Sequence, residues 1–215
     1  RDIFGIKPLF CVLTDYAVIF SSSIQAIPEE FHSSIKAFPP GNIWIDNGFK
    51  GKIQQKITLN RDMESILVDS INSHIPSEVK WGVSLSGGVD SSLICALARK
   101  LGHKFKCYTL DTGEGQDKKA AVEVAKFLGL ELTSVKVQKE DIIKALPTLI
   151  KNLAIFDVQL IAGAFLTYFI SKAAYEDGLK VVLFGEGADE AFGGYGKYTR
   201  LLKSGSTETH IQKLM

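Results

Sequence analysis

The sequence predicts an α/β protein: an open parallel sheet with helices on both faces, preceded by a small β-rich segment. Two patterns carry this expectation. Short apolar runs alternate with helical stretches of 10–15 residues from Trp81 onward, the signature of βαβ units. The first sixty residues instead read as short strands broken by turns.

In that first part, Leu9–Leu13 and Ala17–Ser21 flank Thr14-Asp15-Tyr16 as a hairpin. Pro39-Pro40-Gly41-Asn42 is a turn, and Asn47-Gly48 opens another after Ile43–Ile45. Near Asn60 the period becomes helical: Met63, Ile66, Leu67, Ile71 and Ile75 share one face, with Asn60 as N-cap and Pro76 past the end. The domain boundary therefore falls between Gly51 and Asn60, giving domains of residues 1–55 and 56–215. Trp81–Leu85 is the first strand of the second domain. A helix through Leu93, Ile94, Leu97 and Leu101 follows and stops at Gly102. Phe105–Leu110 is the second strand, Asp117–Leu128 a helix ended by Gly129, and Leu132–Val137 the third strand. Glu140–Leu153 reads as a helix that Pro147 should bend or split, Ile161–Asp177 as another helix, and Leu179–Phe184 as the fourth strand. Ser204-Gly205-Ser206-Thr207 reads as a mobile linker.

Composition narrows the function. The 215 residues hold 25 Lys+Arg against 24 Asp+Glu, a net charge of +1, which gives no electrostatic reason for a nucleic-acid or anionic-membrane partner. With 46% hydrophobic residues the chain can bury a core. Its most apolar stretch, Leu160–Ile170, is too short to span a bilayer and reads as a buried helix. Cys11, Cys95 and Cys107 are too few and scattered for a disulfide framework and read as buried reduced thiols. His32, His74, His103 and His210 share no ligand spacing. No signal peptide is recognised, so a cytoplasmic setting is expected, although the chain begins at Arg1 rather than Met.

Two segments carry the chemistry, and both lie where ligands bind open parallel sheets, beyond the carboxyl ends of strands. The first is Ser86-Gly87-Gly88-Val89-Asp90-Ser91-Ser92. Its glycines let backbone approach a phosphate, the following helix offers free N–H groups, and its hydroxyls add donors. It has no Walker lysine, and Asp90 would repel phosphate unless a divalent cation lay between them, which argues for Mg²⁺. The second is Gly185-Glu186-Gly187-Ala188-Asp189-Glu190, followed by Phe192-Gly193-Gly194-Tyr195. Asp189 can give the same cation a second carboxylate, and Glu186 is placed to act as a base or to orient a nucleophile. A glycine-rich turn with an acidic helix start is the plain alternative for either segment alone; the two together argue against it.

The first loop resembles the pyrophosphate loop of the ATP pyrophosphatases (PP-loop, adenine nucleotide alpha hydrolase-like). Paired with Gly185–Tyr195, it resembles the synthetase domain of glutamine-dependent asparagine synthetases. Arg1–Phe10 is similar to the late strands of that family's glutaminase domain, and Ser21–Ile27 continues the likeness, so residues 1–55 are expected to be the C-terminal part of a glutaminase-like domain. The resemblance implies an ATP-dependent amide-forming ligase. A carboxylate, aspartate in the family, attacks the α-phosphate of ATP, pyrophosphate leaves into the Ser86–Ser92 loop, and ammonia, free or from glutamine, attacks the acyl-adenylate. It implies Mg²⁺ on Asp90 and Asp189, Glu186 as the base, and adenine and ribose contacts from Leu85, Leu110, Phe184 and Gly185. It also implies a glutamine contact at Asp2 where the glutaminase domain is complete. Asp117 either helps with pyrophosphate or metal, or is a plain carboxylate at a helix start. The partners implied are small molecules (ATP, a carboxylic acid, ammonia or glutamine), with a homodimer allowed.

The chain departs from that family in four places. The family's glutaminases use an N-terminal cysteine, which this chain does not present; it is expected either to be a fragment or to depend on free ammonia. The family's lysine beyond the second loop has no match in Lys197 or Lys203, which read as surface residues. Gln159-Leu160-Ile161-Ala162-Gly163-Ala164 lacks the cation expected to pair the α-carboxylate of aspartate. Phe184 stands where many relatives carry serine. Two other readings stay open: a different adenylating amidoligase, such as a β-lactam-forming synthetase, and an ATP-binding relative without turnover.

Overall fold

The computed structural model describes residues 1–45, 48–52, 61–113, 117–153, 157–196, 198 and 200. The expected turn at Asn47, the Asn60 cap, the Ser204–Thr207 linker and the two lysines Lys197 and Lys203 fall outside these residues, as does most of the expected boundary region. The chain forms two compact units, Arg1–Arg61 with Lys151–Phe156, and Asp62–Ile150 with Asp157–Met215.

The first unit is β-rich. Strands β1 (Phe10–Leu13) and β2 (Val18–Ser21) pair antiparallel with Phe10 opposite Ser21 and Leu13 opposite Val18. The Thr14 N–H donates to Ala17 O (2.9 Å) and the Ala17 N–H to Thr14 Oγ1 (2.9 Å), closing the hairpin that the sequence predicts. β3 (Lys36–Ala37) pairs with the other edge of β1, and β4 (Asn42–Ile45) forms a separate antiparallel pair with β5 (Gly48–Lys52). Cys11, Val12, Ile27 and Phe38 are buried, and the Phe20 ring meets Phe38 and Trp44 edge-on.

Residues 1–9 form no strand, so of the segment likened to late strands only Phe10 lies in one. The Asp2 carboxylate accepts the N–H groups of Phe4, Ile6 and Lys7 (2.9–3.1 Å), which diverts them from any ladder. The Arg1 guanidinium donates to the carbonyls of Gly5, Lys7 and Phe38. The backbone N–H groups bonded to Asp2, that of Ile6 first, hold its carboxyl below the usual carboxylate range.

The second unit holds the parallel sheet. Its strands are β6 (Trp81–Ser84), β7 (Lys106–Asp111), β8 (Leu132–Lys136) and β9 (Val181–Leu183), in spatial order β8-β7-β6-β9 and all parallel. The helices are α1 (Met63–His74), α2 (Val89–Lys100), α3 (Asp117–Leu128), α4 (Lys139–Leu153), α5 (Val158–Glu176) and the short α6 (Ala188–Phe192). Successive strand residues face opposite sides. Trp81, Val83, Leu85 and Cys107 enter one core with α2 and α3, whereas Tyr108 enters a second core with Ile170 and Ala174 of α5. Helices thus cover both faces, as a parallel sheet requires.

Local chemistry sets the element ends. Asp62 caps α1, its side chain accepting the Ser65 N–H at 2.9 Å, two residues after the expected cap. Gly129 ends α3 with φ +64°. Pro147 does not split α4: it lies on the exposed side of one continuous helix, where the Ile143 carbonyl it leaves without a donor can turn to water. The thiols of Cys11, Cys95 and Cys107 are all free and buried. Cys95 Sγ lies 3.8 Å from Cys107 Sγ, and that contact together with burial pushes the Cys95 thiol up. Among the described residues no helix is long and apolar enough to cross a membrane.

Candidate nucleotide site

β6 lies between the strand that follows it in sequence, β7, and the last strand, β9. The chain leaves β6 toward one side of the sheet and returns on the other, so β6 is the topological switch point at which a crevice opens beyond the strand ends. Both glycine loops sit there.

The loop after β6 turns into α2, whose N-cap is Gly88. Its first-turn N–H groups have no acceptor inside the helix. The loop is tied by its own hydroxyls: Ser86 Oγ and Ser91 Oγ are 3.0 Å apart, the Ser86 N–H donates to Ser91 Oγ (3.2 Å), and the Gly88 N–H donates to Ser86 Oγ (3.3 Å). Gly87 adopts φ +84° and rests on α3. A Cβ there would lie 2.5 Å from Ala120 C, Ala120 Cβ and Ala121 N.

The loop after β9 packs directly on the first. A Cβ on Gly185 would come within 3.1 Å of Asp90 Cβ and 3.2 Å of Ser91 N, so a larger residue would wedge the loops apart. Gly187, at φ +94°, turns the chain into α6, a helix that sequence patterning does not reveal. Gly194, just past the far end of α6, lies against the Asp189 carboxylate of its first turn, which would collide with a Cβ and explains the glycine. Tyr195 donates its hydroxyl to Glu190, and this bond, with the nearby carboxylates, raises the Tyr195 phenol to about 12.

Between the loops lies an open pocket of about 180 Å³, lined by Ser84, Ser86, Gly88, Asp90, Ser91, Leu166, Phe184, Gly185, Glu186 and Asp189. Three carboxylates and the glycine loop therefore converge on one cavity. A second pocket of about 250 Å³ shares Ser84, Ser86 and Leu166 with it and extends over the ends of β6 and β7, adding Leu85, Thr109, Leu110, Asp111, Thr112, Asp117 and Lys118. Of the expected nucleotide residues, Gly87 and Ser92 line neither. Gly87 is spent on packing, and the Ser92 hydroxyl is buried without a hydrogen-bond partner among the described residues. Asp2 belongs to the other unit.

Ser84, Thr109, Asp111, Thr112, Lys118 and Leu166 are the lining residues that the sequence did not single out. Asp111 is 8% exposed and accepts from Lys118 Nζ (2.6 Å), Gly113 N (3.1 Å) and Ser134 Oγ (3.3 Å). The Lys118 ammonium, first among these partners, holds its carboxyl below the usual range. The one sequence signal was a carboxylate at a strand end just before Thr112-Gly113.

No group of three or more His, Cys, Asp or Glu side chains suited to a metal ion is gathered among the described residues. Asp90 and Asp189 nevertheless line the same pocket with serine hydroxyls, a hard oxygen donor set. Mg²⁺ characteristically uses one or two carboxylates and completes its shell with water and phosphate oxygens, so these residues fit it.

Residues 62–214 match the family model described as asparagine synthase. The chain belongs to the asparagine synthase family. Among similar proteins of this family are asparagine synthetase B (glutamine-hydrolyzing) of Escherichia coli, 28% identical over 91% of this chain and 40% of its own, and a putative asparagine synthetase of Methanocaldococcus jannaschii, 32% identical over 100% and 45%. Asparagine synthetase 1 of Bacillus subtilis is 32% identical over 92% of this chain and 37% of its own. The chain thus spans less than half the length of these relatives. Among solved structures, an NH3-dependent NAD synthetase of Campylobacter jejuni aligns with a TM-score of 0.43 and 21% identity, over 61% of this chain and 58% of that one. The family match covers all but the last residue of the unit that holds both glycine loops.

Proposed function

We propose that this chain carries the synthetase part of an ATP-dependent amide-forming ligase, with aspartate as the carboxylate and asparagine as the product. One observation carries the reading: the glycine loop after β6 and the acidic loop after β9 meet over a single pocket, with Asp90, Glu186 and Asp189 on its wall. The names of the relatives supply the substrate class.

In this reading the polyphosphate of ATP lies along Ser86–Ser92, against the free N–H groups that open α2 and at the Ser86 side of the second pocket, and the nucleoside lies against Leu85 and Leu110 in the rest of that pocket. Phe184 and Gly185, expected beside the nucleoside, line the first pocket instead, where they face the phosphate end. The bound carboxylate attacks the α-phosphorus in line, and charge builds on the departing pyrophosphate, where the fixed backbone dipoles of the loop favour it. Asp90 and Asp189 would hold Mg²⁺, which when bound neutralises phosphate charge. Glu186, exposed at the mouth of the pocket, takes the proton that ammonia must lose as the C–N bond forms and AMP leaves.

Residues 1–55 are proposed to be the end of a glutaminase-like domain. Asp2 keeps about one of its four acceptor sites after three backbone N–H groups, enough for one bond to a glutamine amine. A second reading, an amidoligase for another acid, draws on the absence of Lys or Arg from Gln159–Ala164. The test is AMP and pyrophosphate formation by the full-length protein with ATP, Mg²⁺ and ammonia. Aspartate is expected to stimulate both and to yield asparagine. AMP formed only with a different acid would keep the mechanism and replace the substrate, and ATP binding without any AMP would favour a relative that has lost turnover.

A further inference from the structure

Three carboxylates face the first pocket, yet no Lys or Arg is among its lining residues. A polyphosphate would enter with like charge around it, and the loop has no lysine of its own. Among the residues lining the two joined pockets, Lys118 of α3 is the one lysine or arginine. Two observations set its position. The Gly87 backbone lies directly against Ala120 and Ala121, so the first turns of α3 flank the glycine loop, and Lys118 shares a pocket with Ser86 of that loop. Its anchor is also fixed: Asp111 is nearly buried and held from three directions, by Gly113 N, Ser134 Oγ of β8 and Lys118 itself. The bond to Asp111 uses one of three ammonium protons, and the side chain stays 42% exposed against 9% for its partner, so two donors remain.

We propose that Lys118, positioned by Asp111, contacts the β,γ-phosphates of the nucleotide and the departing pyrophosphate, supplying from α3 the cation that the glycine loop lacks. This rests on the nucleotide reading above. A point-charge ammonium suits phosphate without demanding bidentate geometry, and sharing it with Asp111 keeps it from collapsing onto Asp90 or Glu186 in the empty site. Asp111 is a positioning residue: it reaches phosphate only through Lys118.

Calorimetric titration of the full-length protein with ATP, inorganic pyrophosphate and AMP separates the possibilities. Lys118→Ala is expected to weaken ATP and pyrophosphate roughly tenfold or more while AMP, which lacks the β,γ-phosphates, binds as before. Lys118→Arg should restore most of the loss, and Asp111→Asn should give a smaller loss with the same pattern. Unchanged ATP and pyrophosphate binding in Lys118→Ala overturns the proposal and leaves a surface ion pair at a helix start. So does equal weakening of all three ligands, which a distorted site would produce. A wild-type protein that binds none of the three overturns the nucleotide reading itself, and this inference with it.

Discussion

Glu186→Gln is expected to lower amide formation by about two to four powers of ten, the usual contribution of a positioned general base, while ATP binding and pyrophosphate exchange persist. The substitution keeps the shape and hydrogen-bonding length of the side chain and removes only its capacity to take a proton. Glu186 stands on the wall that also bears Asp90 and Asp189, and loss of one negative charge there should, if anything, favour the polyphosphate. The two half-reactions should therefore separate in this variant: aspartate-dependent exchange of labelled pyrophosphate into ATP continues, and asparagine from ammonia all but stops. Equal loss of exchange and product would assign Glu186 to the adenylation step instead. Full activity would remove it from the chemistry.

The second large effect is expected at adjacent glycines that look alike in the sequence. Gly87→Ala must place a Cβ 2.5 Å from atoms of Ala120 and Ala121, and it must do so at φ +84°. These are backbone and methyl atoms in the first turns of a helix whose Ala121 is fully buried, so nothing flexible can yield. Left-handed strain and overpacking together should cost roughly 2–4 kcal/mol and lift the loop off α3, with loss of ATP binding. Gly88→Ala meets only Ser86 Oγ at 3.4 Å, at the ordinary φ of −69°, and should cost less than about 1 kcal/mol. Urea midpoints of the two variants, measured beside ATP titrations, check the contrast. Similar midpoints would mean that the loop does not depend on this contact.

Much of the second unit was legible because its signals are local. The short apolar run Trp81–Leu85, Gly102 and Gly129 after apolar helices, and two glycine-acid segments just past strand ends each follow from neighbouring residues alone. What was not legible depends on packing between distant segments. No property of Val181–Leu183 says that it pairs with β6 rather than β8, yet that pairing brings Glu186 and Asp189 to Asp90. Nothing in the residues around Lys118 singles it out; the bed that Ala120 offers to Gly87 brings its helix beside the loop. Pro147 was expected to disrupt its helix, and exposure on one side made it tolerable. At the N-terminus the likeness of Arg1–Phe10 to strands of a glutaminase domain does not show that Asp2 gathers the backbone N–H groups into a loop.

The central claim, that the two loops form one site in which a carboxylate displaces pyrophosphate from ATP, is tested most directly by isotope transfer. The full-length protein would be supplied with ATP, Mg²⁺, ammonia and aspartate labelled with ¹⁸O in its side-chain carboxylate, and the nucleotide product analysed by mass spectrometry. Attack on the α-phosphorus, followed by ammonia at the acyl carbon, leaves one carboxylate oxygen on AMP, so singly labelled AMP is the predicted result. ADP with labelled orthophosphate would show attack at the γ-phosphorus and contradict the account.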